Sequence, residues 1–338
     1  MAVWVALDAM GGDFAPQATV EGALLALKSF SNLGIYLVGQ PEKLAPMLKR
    51  RRHRRLELVP ASQVVGMDES PIGALRNKLD SSIRKSFDLI REGKAQAVVS
   101  AGNSGAVLAT ALFVLGRLQG VSRPAIATVL PTIKGQAVMI DSGANVDCKP
   151  HHLLQFAQMG TVFSREILGV SAPKVGLLSI GEEGGKGNTL VKRTHQLLSE
   201  SELNYVGNIE GRDIYRGEVD VIVCDGFVGN ICLKLSEGLA EALMLMMAEE
   251  VRLSKVAKLG FSLARAALRR FRRRIDWRER GGAPLLGVKG VVIISHGRSD
   301  ALAIKNALGT ALGFVEEGVL VKLTEALAGL PTLVQTQR

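Results

Sequence analysis

Six short glycine-bearing segments hold most of the residues that could do chemistry, and each begins where an apolar run ends. They are Asp8–Asp13 (DAMGGD), Ala101–Gly105 (AGNSG), Asp141–Pro150 (DSGANVDCKP), Gly181–Thr189 (GEEGGKGNT), Asp225–Asn230 (DGFVGN) and Ser295–Ser299 (SHGRS). Glycine lets a backbone turn tightly and come close to a ligand. Consecutive N–H groups in such turns, with Asn, Ser and Lys beside them, suit phosphate or another oxyanion.

Two familiar phosphate motifs are excluded. In Gly181–Thr189, Lys186 is followed by Gly187 instead of Ser or Thr, and the glycine spacing is one residue short of a Walker A loop. Its N–H groups at 184–188 still suit a single phosphate, with Lys186 as counter-charge. DAMGGD contains no GxGxxG, and no acidic residue follows at the ribose-binding distance, so a nicotinamide dehydrogenase lacks its signature. Asp8 and Asp13 could hold a lysine or a water, or could cap the helix beginning near Pro16. Asn103 and Ser104 sit at a strand end and helix start, as N-cap and anion donors. Ser104 lacks the GxSxG context of a nucleophile. Cys148 beside Lys149 could be a thiolate or a buried inert thiol. His296 is the best-placed general acid or base, because the other histidines lie in a basic loop, on helix faces or at a helix start. No metal site is expected: there is no HExxH or CxxC, and His151 and His152 are adjacent.

The elements that must position these residues follow from periodicity. Runs of small and β-branched apolar residues read as strands near 3–8, 34–39, 56–60, 97–101, 125–131, 136–141, 174–180, 204–210, 219–224 and 290–295. Helical patterns fill 16–30, 41–49, 71–92, 104–118, 150–168, 187–200, 229–275 and 299–317. This alternation predicts a layered α/β fold with an open, mostly parallel sheet, with a hairpin across Thr128–Gln136. In such sheets, ligands bind outside the carboxyl ends of the strands. Residues 1–330 form one two-lobed unit in this reading. The long stretch 229–275 cannot pack wholly on a sheet and should break near Gly260 into a protruding amphipathic hairpin over 240–278. Val256, Leu259, Leu263, Ala267, Phe271 and Ile275 make one apolar stripe, flanked by Arg265, Arg269, Arg270, Arg272, Arg273 and Arg274. A helix lying on an anionic membrane surface and a helix in a dimer interface both fit that pattern.

The chain has 338 residues, a formal net charge of +10 and 47% apolar residues, enough for a large buried core. Three cysteines, Cys148, Cys224 and Cys232, are too few for a disulfide framework, and the apolar start lacks the basic flank of a signal peptide. A cytoplasmic protein is expected. Basic residues concentrate in Lys49–Arg55 and Arg265–Arg280. No aromatic residues interleave with the first run, so nucleic acid is the weakest of the possible acidic partners.

Taken together the motifs resemble bacterial phosphate acyltransferase, the acyl-carrier-protein phosphate transacylase of phospholipid synthesis. The resemblance runs in order from DAMGGD through DSSI (80–83), SAGNSGA (100–106), DSGANVDCKPHHLLQFAQMG (141–160), IGEEGGKGN (180–188), GNIEGRDI (207–214), DVIVCDGFVGN (220–230) and GGAPLLG (281–287) to NALG (306–309). Ser104 stands where family members more often carry Thr, and Asn77 interrupts the usual basic run before DSS. The resemblance implies transfer of an acyl group from acyl carrier protein to inorganic phosphate, with no cofactor. It implies a fold similar to isopropylmalate dehydrogenase and phosphotransacetylase, a homodimer, peripheral membrane association through the hairpin, and a membrane glycerol-3-phosphate acyltransferase that uses the product.

On that footing Asn103, Ser104, Lys186, Asn188 and Asn230 are expected to line the phosphate and oxyanion region, with Asn145 close by and Lys149 adding charge. Asp8, Asp141 and Asp225 would orient the site, and His296 would carry a proton. Leu259, Leu263, Phe271, Arg269, Arg270 and Arg273 would meet the membrane. A coenzyme A phosphotransacylase and a noncatalytic membrane-surface scaffold are the competing readings.

Overall fold

Runs such as AVVS, VVII and VIV can be strands only where both faces are covered, and here they are fully buried. The computed structural model describes residues 2–49, 51 and 53–328. Arg50 and Arg52 of the basic run, and residues 329–330 of the expected unit, lie outside the described residues. The strands are β1 (Val3–Asp8), β2 (Leu33–Gly39), β3 (Leu56–Pro60), β4 (Ala97–Ser100), β5 (Ala125–Pro131), β6 (Gln136–Ile140), β7 (Val175–Leu178), β8 (Tyr205–Ile209), β9 (Val221–Val223), β10 (Ala283–Leu286) and β11 (Val291–Ile294). The helices are α1 (Gln17–Ser29), α2 (Pro41–Leu48), α3 (Pro71–Asn77), α4 (Ser82–Arg91), α5 (Ser104–Val114), α6 (Pro150–Leu168), α7 (Thr189–Ser199), α8 (Gly226–Leu253), α9 (Lys255–Leu263), α10 (Arg265–Ile275), α11 (Ala301–Glu316) and α12 (Val319–Ala328).

All the strands form one 11-stranded sheet in the order β3-β2-β1-β4-β11-β10-β5-β6-β9-β7-β8. β3, β2, β1, β4 and β11 run parallel. β10 is antiparallel to both neighbours, and β5 is antiparallel to β6. β6, β9, β7 and β8 are again parallel, in the sense opposite to the first block. The expected mostly parallel α/β sheet and the 128–136 hairpin are therefore present, but the carboxyl ends of the two blocks leave the sheet in opposite directions.

Side chains alternate between faces as the pleat requires. Val5, Leu7, Val138 and Ile140 join one continuous cluster, with α1, α6 and α11 over it. Ala6 and Val98 face a second cluster under α4 and α5, while Ala137 and Met139 face a third under α8. One face of the sheet is thus covered in a single layer and the other in two separate patches.

Several boundaries differ from the expectation. The 71–92 pattern is two helices, because Ser81 caps α4 by accepting from the Arg84 N–H at 3.3 Å. The break expected at Gly260 falls at Ser254 and Ala264, and Gly260 lies within α9. Ser254 both ends α8 and caps α9, accepting from the Ala257 N–H at 3.1 Å. β10 and α12 carry no strong periodic signal. Arg55 of the basic run is structural: its guanidinium donates to the carbonyls of Leu27, Phe30 and Leu33 at 2.6–3.0 Å, satisfying the end of α1.

Candidate active site

The first group of expected residues gathers at the carboxyl ends of β1, β4 and β11. Asp8 is buried and Oδ2 accepts from the Ser100 hydroxyl at 2.7 Å, while Oδ1 accepts from the Met10 N–H at 3.2 Å. Burial raises its proton affinity, and hydrogen bonds from the Ser82 and Ser100 hydroxyls and the Met10 and Gly11 amides pull the other way. Asp8 therefore ties β1 to β4 and to the first turn of α4, and it holds no lysine. Gly11 is needed there, since a Cβ would stand 2.6 Å from Asp8 Oδ2 and from the Gly102 nitrogen. Asp13 caps no helix; its N–H donates to the Gly297 carbonyl at 2.8 Å, joining this turn to the 295–299 loop. Asn103 is fully used: Oδ1 accepts from the Ala106 N–H at 3.0 Å, and Nδ2 donates to the Met67 and Glu69 carbonyls at 2.8 and 3.0 Å. It pins the 66–69 loop, so the anion-facing groups here are the exposed Ser104 hydroxyl and the first N–H groups of α5.

His296 follows β11 and is half-buried. Nδ1 accepts from the Arg298 N–H at 3.1 Å, and Nε2 lies 2.9 Å from Lys234 Nζ. Burial first, and then the Lys234 charge, hold this ring below the usual histidine range. The indole of Trp277 lies against it, ring centres 5.3 Å apart.

The remaining residues sit at the carboxyl ends of the oppositely directed block. Asp225 caps α8, accepting from the Val228 N–H at 2.9 Å, and Asn188 caps α7, accepting from the Val191 N–H at 2.9 Å. Asn230 is exposed beside Gly143, and Lys149 and Lys186 are exposed at the starts of α6 and α7. Asp141 and Asn145 are buried; both Asp141 oxygens accept N–H bonds, and Asn145 Nδ2 donates to Asp141 and to the Pro124 carbonyl, so neither the carboxylate nor that amide nitrogen is free for a substrate. Gly229 lets α8 cross this corner: a Cβ there would lie 1.9 Å from the Asp141 carbonyl. The residues expected to line one phosphate region thus come from two strand blocks of opposite sense, β5 keeping the direction of β11 across β10 and the antiparallel β5–β6 pair making the reversal. α8 links the groups, capped by Asp225 and reaching His296 through Lys234 about 13 Å further along.

Lys234, Glu237, Trp277, Ser82 and Ser100 were not singled out in the sequence. Lys234 and Glu237 look like an ordinary i,i+3 surface pair on a helix, and only the packing of α8 against the 295–299 loop reveals them. The thiolate alternative for Cys148 is overturned. Burial, with the nearby Asp141 and Asp225 charges, pushes its thiol up to about 12, and Sγ faces the Asn145 carbonyl at 3.6 Å. Cys224 and Cys232 are raised by burial as well. Against an ordinary thiol, the Cys148 thiolate fraction at neutral pH is lower by about three orders of magnitude. Iodoacetamide at neutral pH is therefore expected to leave Cys148 unmodified for times that fully alkylate a free cysteine. Intact mass and peptide mapping check this; rapid labelling of Cys148 would contradict the burial argument.

The mixed α/β sheet is a fold shared with phosphotransacetylases of known structure. A phosphotransacetylase from Streptococcus pyogenes superposes with a TM-score of 0.64 at 16% identity, covering 93% of this chain and 94% of that one. The EutD phosphotransacetylase from Staphylococcus aureus gives 0.58 at 16% identity, with 96% and 94% covered. The sequence model of a family described as "Fatty acid synthesis protein" matches residues 3–322. The phosphate acyltransferase of Geobacter sulfurreducens is 51% identical over 325 residues, 96% of this chain and 94% of that protein. That of Pelobacter propionicus is 52% identical over 326 residues, with the same coverage. The chain belongs to the phosphate acyltransferase family.

Proposed function

We propose that this protein transfers an acyl group from the thioester of acyl carrier protein to inorganic phosphate, giving acyl-phosphate for phospholipid synthesis. The observation that carries this reading is the half-buried His296 ring, placed beside the Lys234 ammonium and next to the glycine turns of the β1 and β4 ends. Phosphate must be held about 3 Å from the thioester carbonyl with donors for the developing oxyanion. The Ser104 hydroxyl and the start of α5 supply donors, and Lys234 supplies positive charge. Phosphate oxygen bonds to the carbonyl carbon and the C–S bond breaks. The phosphate proton passes by way of His296 to the departing sulfur. A thiolate leaves readily, so no covalent enzyme intermediate is required. The test is to mix protein, acyl-carrier-protein thioester and phosphate and to trap acyl-phosphate with hydroxylamine. No phosphate-dependent loss of thioester would sink the reading, and turnover only with the coenzyme A thioester would replace the donor.

The surface supports a peripheral membrane role and pairing of two copies. No helix among the described residues is long and apolar enough to cross a membrane. Val256, Leu259 and Leu263 are 81%, 65% and 82% exposed on α9, Phe271 is exposed on α10, and α10 presents Arg269, Arg270 and Arg273 to solvent. Exposed apolar groups beside a basic face favour an anionic lipid surface, where the product would be consumed by a membrane acyltransferase. Ile231, Leu235, Leu239, Leu243 and Met246 form an exposed seam along α8 that suits a second copy of the chain. Replacing Arg269, Arg270 and Arg273 with Glu is expected to weaken binding to anionic vesicles at least 100-fold, at about 1 kcal/mol per lost basic residue. Vesicle flotation measures it, and binding unchanged by these substitutions would remove direct membrane contact. Arg274 is left out because it donates to the Thr132 and Ile133 carbonyls at 2.6 and 2.7 Å.

A further inference from the structure

Both ends of the α8–α10 excursion return to the loop that carries His296. From α8, Lys234 Nζ lies 2.9 Å from His296 Nε2 and donates to Glu237 Oε2 at 2.8 Å. That same Glu237 oxygen is 3.8 Å from Nε2. One turn on, Glu241 faces Arg298 at 3.9 Å. From the returning end, Trp277 packs on the imidazole, and Arg278 donates to Asp276 and to Asp300, which caps α11.

The ring cannot satisfy all the groups around it. With Nδ1 accepting from Arg298, the proton of a neutral imidazole belongs on Nε2, pointing at an ammonium that can only donate. With Nε2 accepting from Lys234, the proton moves to Nδ1 against the Arg298 N–H, and this second form is the one whose Nε2 lone pair can take a proton from phosphate. Protonating the ring fully would set a second positive charge against Lys234. Glu237 acts in the other direction, and its carboxylate is close enough to welcome an imidazolium. The charged groups facing the ring are therefore Lys234 and Glu237 from α8, Arg298 from its own loop, and Asp13 from the turn after β1, with Trp277 as an apolar wall. Lys234 and Arg298 disfavour the protonated ring, and Glu237 and Asp13 favour it.

We propose that Lys234 and Glu237 are positioning residues that set the proton affinity of His296 in opposite directions, and so decide where acyl transfer to phosphate switches on with pH. The proposal rests on the reading of His296 as the proton carrier. A neutral ring is needed to take the phosphate proton, so the acid limb of kcat/KM should follow the ring.

The experiment titrates the His296 ring by NMR in the full-length protein, with His296→Gln identifying its signal, beside kcat/KM for phosphate-dependent thioester loss. Lys234→Met should raise the ring midpoint by about one pH unit, and Glu237→Gln should lower it by a similar amount. The acid limb should move with each variant in the same direction. Lys234→Arg keeps the charge and should stay near the wild-type midpoint, separating charge from damage to α8. Ring midpoints that stay fixed, or that move together in both variants, overturn the proposal. Midpoints that move as expected while the acid limb does not overturn the role of His296 in the reaction instead.

Discussion

Asp141→Ala is expected to destabilise the fold by about 4 kcal/mol, an amount read directly from guanidinium unfolding. The carboxyl group is buried and takes five N–H bonds: Oδ1 from Ile126 at 2.9 Å, Gly143 at 3.2 Å and Ala144 at 3.0 Å, and Oδ2 from the Asn145 backbone at 2.7 Å and its Nδ2 at 2.8 Å. Alanine removes every acceptor at once. Asn145 Nδ2 keeps the Pro124 carbonyl at 2.7 Å, but the backbone donors are left in a corner sealed by Gly226 and Gly229 of α8. Each unsatisfied buried donor costs about 1–3 kcal/mol. Water entering the space left by the carboxyl would recover part of that cost, which keeps the expected loss below the full sum. A domain stable by about 5–15 kcal/mol would survive only narrowly. A loss under about 1 kcal/mol would mean that water satisfies this corner and that Asp141 does not hold it together. The residue expected to orient the substrate is, on this account, the acceptor that joins β5 to the end of β6 and the 143–145 turn.

His296→Ala is expected to lower kcat/KM for phosphate-dependent thioester cleavage by about 10²–10⁴-fold while leaving the unfolding midpoint nearly unchanged. The ring is half-buried at a strand end and lies outside the three apolar clusters, so its removal opens no core cavity. What is lost, on the proposed function, is the group that moves the proton between attacking phosphate and departing sulfur. His296→Gln keeps a polar side chain of similar size without a titrating ring, and should be as slow as alanine. A fall of less than about tenfold in both variants would leave positioning and electrostatics as the whole of catalysis here. Hydroxylamine trapping of acyl-phosphate gives the rate, and guanidinium unfolding gives the control.

Much of this architecture was legible in local chemistry. β1, β3 and β5 coincide with their apolar runs, and α6 begins at Pro150, the residue that starts its pattern. Asn103 caps α5 as its place before an apolar stretch predicts, and Asn188, Asp225 and Asp300, not expected as caps, do the same for α7, α8 and α11. Less legible were the elements with weak local signals. β10 is only four residues long with a proline inside, and its partners β11 and β5 come from distant parts of the chain. The pair Lys234 and Glu237 sits on a face that reads as solvated until α8 is laid beside the 295–299 loop.

The sequence by itself determined the strand-end loops, the helix caps, the mostly parallel α/β class and the motif series that places the chain in its family. These follow from interactions within a few residues, where composition and spacing are the physics. Tertiary structure alone decided that the loops form two groups instead of one. It also turned Asp141 and Asn103 into buried or fully bonded anchors and brought α8 and Trp277 against His296. Those outcomes depend on how β10 and β5 join the two strand blocks and on which surfaces pack together. Such contacts join residues far apart in the chain, and no local pattern records them.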